Sequence, residues 1–597
     1  MAVETLVDLF TTAVREHPRA DMFAFKRDGE WHRISSDETL AAVRELSEGL
    51  ASVGLKEGEH VAILSQNRLD WILADQAILR LKGVVVTLYP TLLPSQVEFI
   101  LCDSEASAIF VEDEQQLEKV ESVRARCPKL RTIISFESIH RAGIYSLQQL
   151  RELGLVQLER HPEEADARGR GIEPTDLATL IYTSGTTGDP KGVMLSHRNI
   201  VSNVINGLKA FDLGPSDRCL SFLPLSHVLE RTAGYYIMVH SGVGIAFAES
   251  IETVAENMGE VRPTVMISVP RLYEKIYSRV LALAVAGSAI KRGIFFWAKA
   301  TGEAWVKQKL APARISPFLA AKKSLADRLV FRKLRMKTGG RLRFFISGGA
   351  PLAKEIAEFF YAAGMVIYEG YGLTETSPVI AVNNAKAFRP GTVGPPISGV
   401  EVEIAQDGEI LTRSPSVMMG YWKRPEDTAE VLIDGWLHTG DIGQLSEDGF
   451  LQITDRKKDI IVTAGGKNVA PQPIENEIKL SRYVTEACLI GDKRKYIVAL
   501  LVPNFESLDE YAARNELRFE ERRELLNSSP IQGLFQHLID KVNQNRPSYE
   551  QVKYFRLLDH EFSQEENELT PSMKVKRRVI QARYAEILEE MYAGEEG

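Results

Sequence analysis

The sequence predicts an α/β protein of more than one domain: a large N-terminal domain of parallel α/β sheets, a small β-rich subdomain, and a smaller α+β C-terminal domain. Short apolar runs alternate with amphipathic segments from His60 onward, and after Thr392 the pattern changes to strands and turns. A chain of 597 residues also exceeds what one ordinary core encloses.

Met1 to Ala20 carries Glu4 and Asp8 and has no basic start followed by an apolar stretch, so it reads as an amphipathic helix and not a signal peptide. Apolar Val61–Leu64, Val84–Leu88 and Ala108–Val111 are expected as strands, with helices over Leu69–Leu81 and Pro94–Leu101 between them. The rhythm returns at Cys219–Leu223, Val265–Val269, Leu342–Ile346 and Met365–Tyr368. Thr232–Ala248 is uncharged but contains His240, Ser241 and glycines, and it is short for a span of roughly 20 apolar residues. A buried helix followed by a buried strand accounts for it better. Val400–Ile404 and Glu409–Leu411 flank the turn residues Asp407-Gly408 and place the β-rich subdomain at about 392–456. The charged cluster Asp455–Asp459 lies between two apolar runs and is read as the boundary between 1–456 and 457–597, although a charged hairpin turn has the same composition.

With 44% hydrophobic and 26% charged residues the composition is that of a soluble globular protein, and a net charge of −9 argues against nucleic acid as a partner. Cys102, Cys127, Cys219 and Cys488 form no C-x-x-C pair, which gives neither a zinc framework nor a secreted disulfide scaffold and fits the reducing cytoplasm. Residues 286–338 depart from the average. Thirteen lysines and arginines face only Glu303 and Asp327, interleaved with Ile294, Phe295, Phe296, Trp297, Trp305 and Phe318. Such helices suit an anionic membrane surface at the cytoplasmic face or an anionic ligand, or else a solvated excursion whose aromatics pack on the main domain.

Chemistry concentrates in Tyr182-Thr183-Ser184-Gly185-Thr186-Thr187-Gly188-Asp189-Pro190-Lys191-Gly192, after the apolar run Leu177–Ile181. Glycine lets backbone N–H groups approach an anion, the hydroxyls of Thr183, Ser184, Thr186 and Thr187 rotate to donate, and Lys191 neutralises charge. The spacing is not that of a Walker A loop, since Asp189-Pro190 separates the last glycine from the lysine. Tyr368 to Thr376 combines Gly370, Tyr371 and Gly372, which let a planar base lie near the backbone, with the hydroxyl of Thr374 and the carboxylate of Glu375. One or two carboxylates plus phosphate oxygens are what Mg²⁺ prefers. Asp441, in Trp436–Asp441, is a carboxylate of the kind that accepts ribose hydroxyls. By itself Leu569–Arg578 is a solvated basic tail and His227 a satisfied core histidine.

Taken together, in their order along the chain, these segments resemble the adenylate-forming (AMP-binding) superfamily, and nearly the whole chain is covered. The resemblance implies an acyl-CoA synthetase/luciferase-like fold with a mobile C-terminal domain. It makes Thr183, Ser184, Gly185, Thr186, Thr187, Gly188 and Lys191 the phosphate loop, Gly348, Gly349 and Ala350 the adenine-side loop together with Tyr371 and Gly372, Asp441 the ribose contact and Arg456 a second sugar or phosphate contact. It assigns Mg²⁺ to Glu375 with Thr183, a phosphate contact to Thr374, the hinge to Lys458, and the acid-side position to His227. Lys574 becomes the lysine that bridges acid and α-phosphate, and the loop Thr463–Asn468 with Gly466 part of the thiol tunnel. Met573 stands where the short-chain form has glycine, and with Pro224–Arg231 and the basic insertion this looks like the long-chain fatty acyl-CoA synthetase branch. The implied activity is ATP-dependent activation of a fatty acid to acyl-AMP and its transfer to coenzyme A. Loading of a carrier-protein thiol, a medium-chain or aryl acid, an inactive nucleotide-binding scaffold and luciferase-like oxidation stay open as alternatives, as do acyl-chain length and oligomeric state, with a homodimer allowed.

Overall fold

A computed structural model describes residues 3–183, 190–311, 314–544, 546–570 and 574–593. Two eight-stranded sheets form the large part. In the first, the neighbours run Gly420–Tyr421, Lys191–Ser196, Leu177–Thr183, Val84–Leu88, His60–Leu64, Ala108–Val111, Thr132–Ser135 and Ile144–Ser146, parallel from Leu177–Thr183 outward. In the second they run Val379–Val382, Val366–Gly372, Phe344–Ser347, Val265–Ser268, Arg218–Ser221, Gly244–Phe247, Phe23–Arg27 and Glu30–Ile34, parallel except at the two ends. Parallel strands covered on both faces read as near-continuous apolar runs, and His60–Leu64 and Val84–Leu88 are buried at every position, with only His60 and Thr87 polar. The strand expected at Met365–Tyr368 runs on to Gly372, so Tyr371 sits in the sheet and only Thr374–Thr376 forms a turn of 3₁₀ helix after it. A Cβ at Gly372 would collide with the carbonyl oxygen of Pro378, which explains glycine there.

Between the sheets lies the segment expected as a buried helix. It opens as a wide-turn π-helix, Glu230–Tyr236, and continues as Ile237–His240 before the strand Gly244–Phe247. The Arg231 guanidinium donates to Thr179 Oγ1 of the first sheet at 2.7 Å and pairs with Asp75, which also accepts from the Tyr236 hydroxyl at 2.6 Å. Ser221 of the second sheet donates to Glu230 Oε1 at 2.6 Å. Burial pushes the Glu230 carboxyl up to about 8. One helix is thereby tied to both sheets just after His227. Because Arg231 and Asp75 are almost wholly buried, removing one leaves an uncompensated charge. Asp75→Ala is expected to lower the stability of this domain by about 3–5 kcal/mol in urea unfolding, and an unchanged transition midpoint would show that the pair carries no such strain.

The β-rich part is a five-stranded antiparallel sheet of Glu401–Ile404, Glu409–Arg413, Trp436–Leu445, Leu432–Ile433 and Leu451–Arg456. Beyond it, after the hairpin Ile461–Val462 and Asn468–Val469, strands Val484–Ile490, Ile497–Pro503 and Val552–Leu557 make a three-stranded sheet. Ile474, Leu508 and Phe535, from three helices, fill one apolar cluster on this sheet, and Ile580 and Leu588 fill the other.

Candidate active site

The ends of both large sheets face one cavity of about 1240 Å³, lined also by the β-rich sheet and the C-terminal domain. Ligand sites at the carboxyl ends of parallel strands are what such sheets provide. Strand Leu177–Thr183 delivers Thr183 to the rim, where it pairs in register with Lys191 on the antiparallel strand Lys191–Ser196. The two ends of the segment expected to bind phosphate are therefore side by side. Ser184, Gly185, Thr186, Thr187 and Gly188 lie outside the described residues. The Lys191 ammonium contacts Asp427 Oδ1 at 2.7 Å and stands over the ring of Tyr421 at 5.2 Å.

From the second sheet, Gly348, Gly349 and Ala350 follow strand Phe344–Ser347 and line the cavity, with Gly349 at φ +82° where a side chain would be strained. Tyr371, Gly372, Thr374 and Glu375 line it beside them. The Tyr371 hydroxyl donates to Asp441 Oδ2 at 2.7 Å, and the Tyr421 hydroxyl donates to Glu375 Oε1 at 2.8 Å. Asp441 and Arg456 are cross-strand partners of the β-rich sheet, with Arg456 Nε 3.6 Å from Asp441 Oδ1. Burial raises the Asp441 carboxyl despite Arg456 and the Tyr371 hydroxyl, which hold it down.

Lys574 arrives from the C-terminal domain. Its carbonyl accepts the Thr570 N–H at 2.8 Å and its own N–H donates to Thr570 Oγ1 at 3.0 Å. Burial first and then Arg456 push its ammonium down to about 8, against Asp441 and Glu375, which oppose both. His227, also on the cavity wall, is held down at about 4 by burial and by Lys574. Its Nδ1 accepts the Leu229 N–H at 3.1 Å, so the neutral ring carries its proton on Nε2. Lys458 lines the cavity in the turn after strand Leu451–Arg456, whereas Gly466, at φ +70° in the Ile461–Val469 hairpin, is not part of the wall.

Tyr421 and Asp427 touch predicted site residues but went unread in the sequence, because the only pointer to them is the pairing of Gly420–Tyr421 with strand Lys191–Ser196. Glu369, a cavity carboxyl that burial pushes up to about 8, lies inside the Tyr368–Thr376 segment, where nothing in the sequence singled it out for a role. Among the described residues no three His, Cys, Asp or Glu side chains gather as a metal cage. The Glu375 carboxylate on the cavity wall fits Mg²⁺, which prefers one or two carboxylates and takes most of its remaining ligands from phosphate and water.

The sequence matches the family of AMP-binding enzymes over residues 10–422 and the AMP-binding enzyme C-terminal domain over residues 458–596. It is similar to the long-chain-fatty-acid–CoA ligase FadD15 of Mycobacterium tuberculosis, 38% identical over 595 residues that cover 98% of this chain and 97% of the relative. It is also similar to the human long-chain-fatty-acid–CoA ligase ACSBG1, 32% identical, with 98% and 85% covered. Among solved structures, the anthranilate CoA ligase AuaEII in complex with anthranoyl-AMP superposes with a TM-score of 0.75 at 18% identity, covering 98% of both chains. The adenylation domain of a Mycobacterium chelonae carboxylate reductase gives 0.74 at 23% identity, covering 99% of this chain and 91% of that one. At such identities the two structures speak for the fold alone.

Proposed function

Because this chain belongs to the AMP-binding enzymes, matched in both of that family's domains, we propose that it is a long-chain fatty acid–CoA ligase that works in two steps. In the first, the fatty carboxylate attacks the α-phosphorus of ATP, forming acyl-adenylate and releasing pyrophosphate. In the second, the coenzyme A thiol attacks the adenylate carbonyl and AMP leaves. Two anions must meet in the first step, so fixed positive charge does most of the work. Lys191 serves the phosphates, Lys574 bridges the acid and the α-phosphate, and Asp441 with Arg456 holds the ribose. Mg²⁺, bound through Glu375 with Thr183, would supply further charge on the phosphate oxygens. His227 donates from Nε2 toward the acid.

The observation that carries this reading is the meeting of Lys191, Glu375, Asp441, Arg456 and Lys574, from four separate parts of the fold, in one cavity. The test is AMP formation with ATP and coenzyme A across an acid series from acetate to oleate. Activity should rise toward the long chains. A maximum at medium-chain or aryl acids, or transfer to a holo-carrier protein in preference to free coenzyme A, would replace the long-chain reading.

Among the described residues no helix is long and apolar enough to cross a membrane. The basic segment divides its aromatics: Phe295 is buried and Trp305 packs on the main core, while Ile290, Phe318, Leu325 and Met336 are 50–76% exposed beside exposed Lys291, Arg292, Lys322, Arg332 and Lys333. Exposed apolar and basic side chains on one helical excursion favour contact with an anionic bilayer, at about 1 kcal/mol per basic residue near the surface. Binding to phosphatidylglycerol vesicles is expected to weaken with salt and to vanish when Lys291, Arg292, Lys322 and Arg332 are all changed to Glu; equal binding to phosphatidylcholine vesicles would refute an electrostatic contact.

A further inference from the structure

The C-terminal domain meets the large domain through a second group of side chains, on the cavity rim away from the reacting groups. Leu480, which follows helix Pro471–Lys479, packs against the apolar core of the large domain. Beside it, Arg271 Nη1 on the large-domain helix Pro270–Ala286 contacts Glu486 Oε1 at 3.3 Å, and Lys479 Nζ contacts Glu486 Oε2 at 3.5 Å. Glu274, one turn along from Arg271, completes an alternating set of two acids and two bases. Burial and the Glu486 carboxylate raise its carboxyl, against Lys479 and Arg271. Lys479 is itself drawn upward because Glu486, Glu274 and Glu475 outweigh its burial.

We propose that Arg271, Glu274, Lys479 and Glu486 form an electrostatic clasp that positions Lys574 in the cavity for adenylation and opens for thioester formation. This rests on the two-step reading above. The contact of Lys479 with Glu486 lies within the small domain, whereas Arg271 meets Glu486, and Glu274 feels the charge of Lys479, only while the two domains face each other as they do here. Rotation of the small domain would separate the partners, leaving partly buried groups to be solvated afresh. Pairs that stay partly in water are each worth little, which suits a contact that must bias one orientation without locking it. None of the four needs to touch substrate. They are positioning residues, and their effect should fall on one half-reaction.

The experiment uses the full-length chain in three assays: pyrophosphate release from ATP and fatty acid, thioester formation from supplied acyl-adenylate and coenzyme A, and small-angle scattering without ligands. Arg271→Glu, which faces Glu274 and Glu486 with a like charge, should slow pyrophosphate release about tenfold, leave thioester formation within about twofold, and widen the ligand-free particle. Arg271→Lys should restore all three. Arg271→Gln and Glu486→Gln should each slow the first step, and the double variant should be no slower than the slower single, the mark of two groups acting through one contact. Equal losses in both half-reactions, additive losses in the double variant, or an unchanged first step in Arg271→Glu would each overturn the clasp. A chain that makes no acyl-adenylate with any acid would refute the proposed reaction instead, and the scattering comparison of Arg271→Glu with Arg271→Lys would still decide the clasp.

Discussion

Lys574→Ala is expected to cut fatty-acid-dependent pyrophosphate release by about a thousandfold, the scale of losing a group aimed at developing charge, and to leave thioester formation from supplied acyl-adenylate within a few-fold of normal. The asymmetry follows from geometry. Lys574 shares its cavity with Glu375, Asp441, Arg456 and His227; in the proposed reaction the first step joins a carboxylate to a triphosphate there, and the second step no longer needs that cation. Its depressed ammonium adds a pH signature. A lysine near 8 is charged below that value and loses its proton as pH rises through it, so the adenylation half-reaction of the free enzyme should decline on the alkaline side from about pH 8. A pH profile for pyrophosphate release with its fall placed above pH 10 would contradict the burial of this side chain. Equal loss of both half-reactions in Lys574→Ala would contradict its role.

The complementary result is expected for Lys458→Pro, which should spare pyrophosphate release and slow thioester formation by about a hundredfold, a loss of the kind produced when a hinge no longer turns. Lys457 is anchored to the β-rich sheet, its N–H donating to the Gly440 carbonyl at 2.8 Å and its ammonium contacting Asp407 at 2.6 Å and Glu409 at 3.0 Å. The N–H groups of Asp459 and Ile460 both reach back to the Arg456 carbonyl. Residue 458 thus stands where the anchored sheet hands over to the C-terminal domain. Among the described residues the backbone bonds of this turn are donated by 457, 459 and 460, so proline at 458 removes none of them while fixing φ and restricting residue 457. Measured on the same two half-reactions, an effect on neither step would move the hinge elsewhere.

Much of this architecture was legible because its determinants are local. Fully buried parallel strands are near-continuously apolar, and Val84–Leu88 or Ala108–Val111 announces itself by composition. The hairpin Phe23–Arg27 and Glu30–Ile34 passed unread, although its Asp28-Gly29 turn, with φ of 51° and 80°, is a strong local signal; its polar outer strand hid the alternation. Tyr371 was expected after a strand and lies within one, since the glycines that look like loop residues serve the close packing of Gly372 on Pro378. The site residues that escaped are those defined by distant partners. Asp427 meets Lys191 across 236 residues of sequence, and Tyr421 reaches Glu375 only because a two-residue strand docks beside Met194 and Val193. The same holds for the clasp, where Arg271 and Glu486 are ordinary surface charges until the domains meet.

The bond from the Leu229 amide to His227 has a consequence for the sulphur chemistry. With Nδ1 engaged by the backbone and the ring uncharged near neutrality, this imidazole can give a hydrogen bond to whatever occupies the cavity but has no lone pair left with which to take one. It is a one-way partner. In the proposed second step, the proton shed by the coenzyme A thiol therefore goes to an acceptor other than His227.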